Sequence, residues 1–291
     1  MRLLLCSDGT PAAESATRLT ATIARDLGAA ATLLGIAEEA QDEAALRNSL
    51  EDDAQRLSEA GAQPRVLIKS GEPISQILAE VSANHYDMVI IGTRHAGSSG
   101  LFWRSARTYE IVKAVDPPVL VAFGECSRVK HFIVCTGGKH YIDAAIRLTG
   151  QLAAALHGDV TLLHVLAEPP AIFADLVRQE EDVDALLRSG SELGKALSAQ
   201  KQALEKLGVP VKLRVRHGLV ADQVFEEVRE GDYDLIVSGS SRARGPLRHY
   251  IMGDLTRTIL NRAQCPVLVA RSELVTRRVS FWDKIRAQWN G

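Results

Sequence analysis

"LCSDGTPAAESATRLTATIARDLGAAATLLGI" (Leu5–Ile36) lies over "VCTGGKHYIDAAIRLTGQLAAALHGDVTLLHV" (Val134–Val165) without a gap. Arg18-Leu19-Thr20 matches Arg147-Leu148-Thr149, and Thr32-Leu33-Leu34 matches Thr161-Leu162-Leu163. Further on, Gly71 to Gly92 matches Gly218 to Gly239, again without a gap, sharing Tyr86-Asp87 with Tyr233-Asp234. "PPVLVAF" (Pro117–Phe123) answers "CPVLVAR" (Cys265–Arg271). Self-similarity of this length means one unit used twice. The chain reads as two copies, about 1–126 and 129–272, followed by a tail, 273–291. The joint near Glu125–Lys130 is short and should hold the copies close.

Each copy alternates short apolar runs with longer helical patterns. In the first, strands are expected at Leu3–Ser7, Ala31–Ile36, Arg65–Lys69, Met88–Ile91 and Val119–Phe123. Helices are expected at Pro11–Leu27, Gln41–Ala60, Pro73–Asn84 and Ala106–Val115. Apolar strands separated by amphipathic helices imply a parallel sheet covered on both faces. The fold class is therefore α/β, with two tandem doubly wound domains, each a five-stranded parallel sheet flanked by helices. Such sheets bind ligands at the carboxyl ends of their strands, where strand order switches. The offset between the copies rises from 129 residues to 147, so the second copy carries 18 extra residues between its second and third strands. They fall in Glu168–Leu207 and read as a lid or a longer surface helix.

The bulk numbers exclude several classes. The 291 residues are 46% hydrophobic and 24% charged, with a net charge of −2, so no nucleic-acid partner is expected. No apolar run reaches the roughly 18 residues of a membrane span. The start, Met1 to Cys6, has too short an apolar core for a signal peptide, so a cytoplasmic location is expected. Cys6, Cys126, Cys135 and Cys265 show no metal or redox spacing. Cys6 and Cys135 sit in strand-like runs and read as buried and inert.

The turn "CSDGT", the second strands "TLLGIAE" and "TLLHVLAE", the turn "SGEP", the fourth strands "DMVIIGTR" and "DLIVSGSS" and the closing "PVLVA" together resemble the universal stress proteins in their tandem form. The likeness runs to about Arg271. It implies an adenine nucleotide alpha hydrolase-like fold and a stress-response role. In ATP-binding members an Asp ends the first strand and reads adenine. A later pattern, G-x-x-G-x9-G-[S/T], holds ribose and phosphates. Other members lack it and do not bind ATP.

On that resemblance, Asp8 stands at the adenine-reading position of the first copy, or else forms a turn and caps the helix opening at Pro11. Gly92 matches the first motif glycine, but His95 replaces the second and Ser105 the third. Such a loop needs glycines so that backbone N–H groups can approach oxygens closely. Gly71 matches the turn that faces the ribose, and Ile36 the main chain after the second strand. In the second copy Gly137, beside Thr136, occupies the Asp position. "TGGK" (Thr136–Lys139) faintly resembles the phosphate turn of the related ATP pyrophosphatases. Val165 would serve adenine through its main chain, and Gly218 matches the ribose turn. In "SGSSRARGPLRHYIMGD" (Ser238–Asp254), Gly239 and Gly253 match motif glycines, Arg242 replaces one, and Asp254 replaces the Ser/Thr. Arg242, Arg244 and Arg248 could hold an anion, with Gly245 among them. An ionised Asp254 would instead repel phosphate and itself take the helix N-terminus.

The implied ligand is ATP or another adenine nucleotide, with or without Mg. No acid–base pair, nucleophile triad or metal cluster is evident. His95, His140, His164, His217 and His249 are scattered, with His217 and His249 placed near the site by the family pattern. The expectation is a nucleotide-responsive regulator rather than a metabolic enzyme. One alternative is a dimeric scaffold without nucleotide, and another is a weak ATPase. The last strands are pairing surfaces, between chains as a homodimer or inside one chain. In the tail, Trp282, Ile285 and Trp289 fall on one helical face, which suits docking on the protein itself, a protein partner or a membrane surface.

Overall fold

The computed structural model describes residues 1–92, 106–124, 128–138, 142–166, 183–242, 250–251 and 253–271. The tail, His95, Ser105, His140, Arg244, Gly245, Arg248, His249 and most of the 18-residue insertion lie outside the described residues.

In the first copy β1 (Arg2–Ser7), α1 (Pro11–Leu27), β2 (Ala30–Ala37), α2 (Glu43–Glu59), β3 (Arg65–Ser70), α3 (Pro73–Ala83), β4 (Met88–Gly92), α4 (Ala106–Ala114) and β5 (Val119–Ala122) follow in turn. The second copy gives β6 (His131–Cys135), α5 (Asp143–Ala155), β7 (Asp159–Leu166), α6 (Val183–Arg188), α7 (Glu192–Glu205), β8 (Val211–His217), α8 (Val220–Glu230) and β9 (Leu235–Arg242). It closes with β10 (Tyr250–Ile251), α9 (Asp254–Arg262) and β11 (Val267–Arg271). The strand order is β3-β2-β1-β4-β5-β11-β9-β6-β7-β8, with β10 hung on β9. Each half is parallel and doubly wound, and the order switches between β1 and β4 and between β6 and β9.

The two halves are not separate sheets. β5 and β11 pair antiparallel, Val121 facing Val267 and Val119 facing Val269, so one sheet runs through the whole chain. The last strands thus pair internally, the second of the two arrangements expected for them. Leu5, Leu33 and Met88 pack with Leu19 and Leu50 on one face of the sheet. Leu4, Val89 and Val121 pack with Ile77 and Val112 on the other. Both layers continue into the second copy, because the period-2 alternation of β5 and β11 stays in register across the junction.

The junction is locked by one side chain. Arg271 is 8% exposed. Its Nε donates to the Pro117 carbonyl at 3.1 Å, Nη1 to Ser240 Oγ at 3.0 Å, and Nη2 to the carbonyls of Val112 and, at 2.9 Å, Val115. Val112 lies in the last turn of α4 and Val115 just follows it, the end where a cation meets the negative pole of the helix. Arg257 adds an exposed bridge, its guanidinium 5.5 Å from the Tyr109 ring of α4.

The repeated Tyr-Asp dipeptide is structural. Asp87 Oδ2 accepts from the Arg2 backbone N–H at 2.7 Å, and Asp234 Oδ2 from those of Lys130 at 2.7 Å and His131 at 3.0 Å. Each carboxylate caps the free start of its domain's first strand. Tyr86 and Tyr233 each donate to a buried glutamate. Glu80 takes Tyr86 at 2.7 Å, Asn84 at 2.8 Å and an ion pair with Lys69 at 2.7 Å. Glu227 takes Tyr233 at 2.8 Å, Arg214 at 3.2 Å and Arg216 at 2.6 Å. Burial alone would raise the Glu227 carboxyl. The Tyr233 hydroxyl and the two arginines outweigh it and hold it below the usual range. Burial likewise opposes, and Lys69 and Tyr86 overcome, in the lowered Glu80. Burial first, then Glu227, pushes the Tyr233 hydroxyl up to about 12.

Two outcomes follow. A folded pKa below the unfolded value of ~4.3 stabilises the fold at neutral pH and is lost as pH falls through it. Urea melts should therefore show stability declining below about pH 4.5, and Glu227→Gln should flatten that decline while costing roughly 2–3 kcal/mol at pH 7. Arg271→Met strands several carbonyls at the junction and should cost about 3 kcal/mol in the same melts, with Arg271→Lys between it and the parent.

Candidate functional site

The strand ends of the second copy open around a cleft of about 430 Å³. Cys135, Thr136 and Gly137 bring β6 to it, Leu163 and Val165 β7, and Ser238 and Gly239 β9. Ile142 precedes α5, Val220 and Val224 come from α8, and Gly253, Leu255 and Thr256 from the start of α9. This is the switch point of the half-sheet, where a doubly wound domain leaves a crevice. Pairing of β9 with β6 stops at Val237, so among the described strands Ser238 to Ser240 pair with β11 alone and the cleft opens beside them.

Sequence and geometry explain the shape. Leu163 and Val165 share a face because strand side chains alternate. Val220 and Val224 share one because they stand four apart on a helix. Gly138, at φ +66°, turns the chain out of β6, and a Cβ there would meet Leu193 Cδ1 at 2.3 Å. Below that turn the Thr136 hydroxyl donates to Gln200 Oε1 at 2.8 Å and accepts from the Gly138 N–H at 3.1 Å. At the β9 wall Thr256 Oγ1 lies 2.7 Å from Ser238 Oγ and donates to the Gly239 carbonyl at 3.2 Å. Burial pushes the Cys135 thiol up to about 12, so it stays a neutral apolar group. The same holds for Cys6, whose thiol burial and then Glu80 raise to about 12.

Among the described residues, no side chain on the cleft wall is ionised at neutral pH. The copies differ here in a patterned way. Where the first has Asp8, Glu72 and Arg107, the second has Gly137, Leu219 and Leu255. Glu72 caps α3, accepting from the N–H groups of Ile74 at 3.0 Å and Ser75 at 2.7 Å. Leu219 cannot cap α8 and stands 75% exposed at the lip, next to Val220 at 44%.

Of the residues expected at the site, Thr136, Gly137, Val165, Gly239 and Gly253 line this one cleft from β6, β7, β9 and the start of α9. Asp254 opens α9 one residue beyond it, exposed, after the extended N-cap Gly253. Gly218 turns the chain at φ +130° between β8 and α8, and Gly71 repeats this at φ +124° in the first copy. Arg242 departs from the loop reading. Its backbone ends β9 and pairs antiparallel with Tyr250, a small hairpin inside the stretch read as one loop. In the first copy Asp8 is spent on its own turn, accepting from the Thr10 N–H at 3.0 Å and hydroxyl at 2.6 Å, while Thr10, not Asp8, is the N-cap of α1. Ile36 lies in β2 and Gly92 ends β4.

Ile142, Leu163, Val224, Ser238, Leu255 and Thr256 were missed. Their signal is the alternation on β7 and the i, i+4 spacing on α8, which reads as ordinary core. His164 is buried and withdrawn from the cleft, its Nδ1 2.7 Å from the Thr136 carbonyl. Burial lowers its pKa against the pull of that carbonyl. Among the described residues no group of His, Cys, Asp and Glu could hold a metal ion, and no helix is long and apolar enough to cross a membrane.

The model of the universal stress protein family matches residues 1–122 and again 128–271. A curated universal stress protein of Methanocaldococcus jannaschii is 24% identical over 142 residues, which take in 49% of this chain and 82% of that protein. A universal stress protein from Archaeoglobus fulgidus DSM 4304 shares the fold over 93% of this chain and 98% of its own, with a TM-score of 0.69 at 17% identity. A functionally unknown protein from Pseudomonas aeruginosa PAO1 does so over 93% and 92%, with a TM-score of 0.65 at 16% identity. The family match covers both halves of one continuous sheet, and the chain belongs to the universal stress protein family as a tandem pair.

Proposed function

We propose that the protein is a nucleotide-responsive regulator of the stress response whose second-domain cleft binds an adenine nucleotide, ATP or a relative, with or without Mg. The observation that carries this reading is the open cleft at the switch point between β6 and β9, lined by Val165, Gly239 and Gly253 and, among the described residues, by no ionised side chain. A flat base suits the apolar space among Leu163, Val165, Val220 and Val224. The main chain at Val165 would serve its edge in place of the side chain that Gly137 lacks. Gly218 would leave room for the ribose. Phosphates would lie toward the N-terminus of α9, where the backbone N–H groups favour anions, and Arg242 and Gly245 remain the loop residues proposed to contact them. Asp254 opposes the outermost charge, so modest affinity is expected. In the first copy Asp8 serves its turn, so Ile36, Gly71, Gly92, His95 and Ser105 form the weaker site.

No general base stands on the described cleft wall, so binding rather than turnover is the proposed activity. A cytoplasmic location belongs to the same reading. Pairing of β5 with β11 inside one chain leaves any homodimer to other surfaces, the tail among them.

Protein purified without added nucleotide, then denatured, should release ATP or ADP, identified by mass spectrometry. Millimolar ATP should raise the Tm of the parent and leave that of Gly239→Val unmoved, because the new side chain fills the cleft beside Ile142, 3.7 Å from the added Cβ. No released nucleotide and no shift would assign the protein to a scaffold acting through its surfaces.

A further inference from the structure

We propose that Arg271 relays the state of the second-domain cleft to α4 of the first domain, so that the first copy reads the second. The inference rests on the cleft being a ligand seat, and it adds how occupancy would be sensed.

The path is short and buried. Ser238 and Gly239 form the cleft wall. Beyond Val237, β9 is no longer paired to β6; its strand partner is β11, with Ser238 against Val269, Gly239 against Ala270 and Ser240 against Arg271, while Thr256 of α9 bonds Ser238 and the Gly239 carbonyl. Pressure from the cleft on this segment therefore reaches the end of β11 as well as α9. Ser240, 3% exposed, donates its hydroxyl to the Ala270 carbonyl at 3.1 Å and accepts from Arg271 Nη1 at 3.0 Å. The rest of the guanidinium grips the carbonyls of Val112, Val115 and Pro117. These end α4 and lead into β5. The other end of α4 begins at Ala106, directly after Ser105 of the first copy's candidate site.

The repeat makes the device one-sided. At the position of Arg271 the first copy has Phe123, buried at 3% and without a side-chain donor. Close packing transmits small displacements because a filled core has few ways to absorb them. A fork-shaped cation held by several carbonyls keeps its orientation better than a single bond would. The Arg257–Tyr109 contact also bridges the halves, but Arg257 is exposed and the contact lacks directional bonds.

Hydrogen exchange of α4 decides the matter. Gly239→Val places an apolar group in the cleft as a permanent occupant, independent of any ligand. It should change α4 exchange several-fold, within the roughly 5–150-fold range of ordinary couplings. Ser240→Ala, which removes the link but leaves Arg271 on the three carbonyls, should abolish that response. Arg257→Ala should leave it intact. Arg271→Lys, which keeps the charge and breaks the fork, gives a second route to the same loss. An α4 exchange rate that ignores Gly239→Val, or that still follows it after Ser240→Ala, overturns the relay. ATP supplies a separate arm. If it fails to protect residues 235–240 and 253–256 in the parent, the nucleotide reading falls, while the Gly239→Val comparison still decides the relay.

Discussion

Everything in this molecule depends on the antiparallel pairing of β5 with β11. Parallel half-sheets end in a strand with one unpaired edge, and such an edge seeks a partner. Two copies on one chain supply each other's partner, at an effective concentration set by the short segment between them. The pairing puts Val119, Leu120 and Val121 against Val269, Leu268 and Val267, all fully buried. The two hydrophobic layers then extend across the junction. Arg271 turns this apolar seam into a directional one, because its guanidinium satisfies carbonyls that the end of α4 would otherwise leave open.

The copies have kept what holds the sheet and changed what surrounds the strand ends. Tyr86 with Glu80 and Tyr233 with Glu227 are the same buried hub, with Lys69 in one and Arg214 and Arg216 in the other as counter-charge. Asp87 and Asp234 cap their first strands in the same way. These groups cannot be exchanged singly without leaving a buried charge or donor unpaired. The strand-end positions carry no such penalty, since most face a cleft or solvent. There Asp8, Glu72 and Arg107 stand opposite Gly137, Leu219 and Leu255.

The duplication, the α/β class and the elements of the first copy, to within a residue or two at most ends, were legible, because each rests on local periodicity and on residues such as Pro11, Pro73 and Gly28 that start or stop helices. Three of the expected glycines, Gly137, Gly239 and Gly253, line the candidate cleft, while Gly218 stands outside its lining and Gly245 outside the described residues. Three things were not legible. The hairpin of β9 with β10 hides in a stretch whose glycines and arginines suggest a loop, because its second strand, Tyr250–Ile251, is too short to show a period. The destination of Arg271 lies more than 150 residues back in the chain. The apolar wall of the cleft is written in the same residues as core, and only the end of β6–β9 pairing exposes it. The tyrosine–aspartate repeat was visible as a marker, while its role required knowing which backbone groups lay opposite.

The two copies differ in which charged groups stand at their strand ends, but the differences largely cancel. Under the first turn the Ser7 hydroxyl donates to the buried carboxylate of Asp53 at 2.9 Å. Under the second, Thr136 donates to the amide oxygen of Gln200 at 2.8 Å. The geometry is the same, and the charge of Asp53 is met in the first copy by Arg56 at 3.4 Å, where the second copy has Ala203. Gly137 for Asp8 and Leu219 for Glu72 remove two negative charges, and Leu255 for Arg107 removes a positive one. A carboxylate a few ångströms from a phosphate opposes it by on the order of 1 kcal/mol in water and about 4 kcal/mol near a protein surface. Asp254 returns one negative charge to the second copy, at an exposed position like those of Asp8 and Glu72, where water and salt screen it. The described wall of the second cleft carries no ionised side chain and lacks the carboxylate that stands at Asp8 in the first copy. The first keeps that carboxylate and spends it on Thr10. What separates the copies is therefore the shape and apolar lining of the second cleft rather than a count of charges, and the nucleotide reading proposed above rests on that lining.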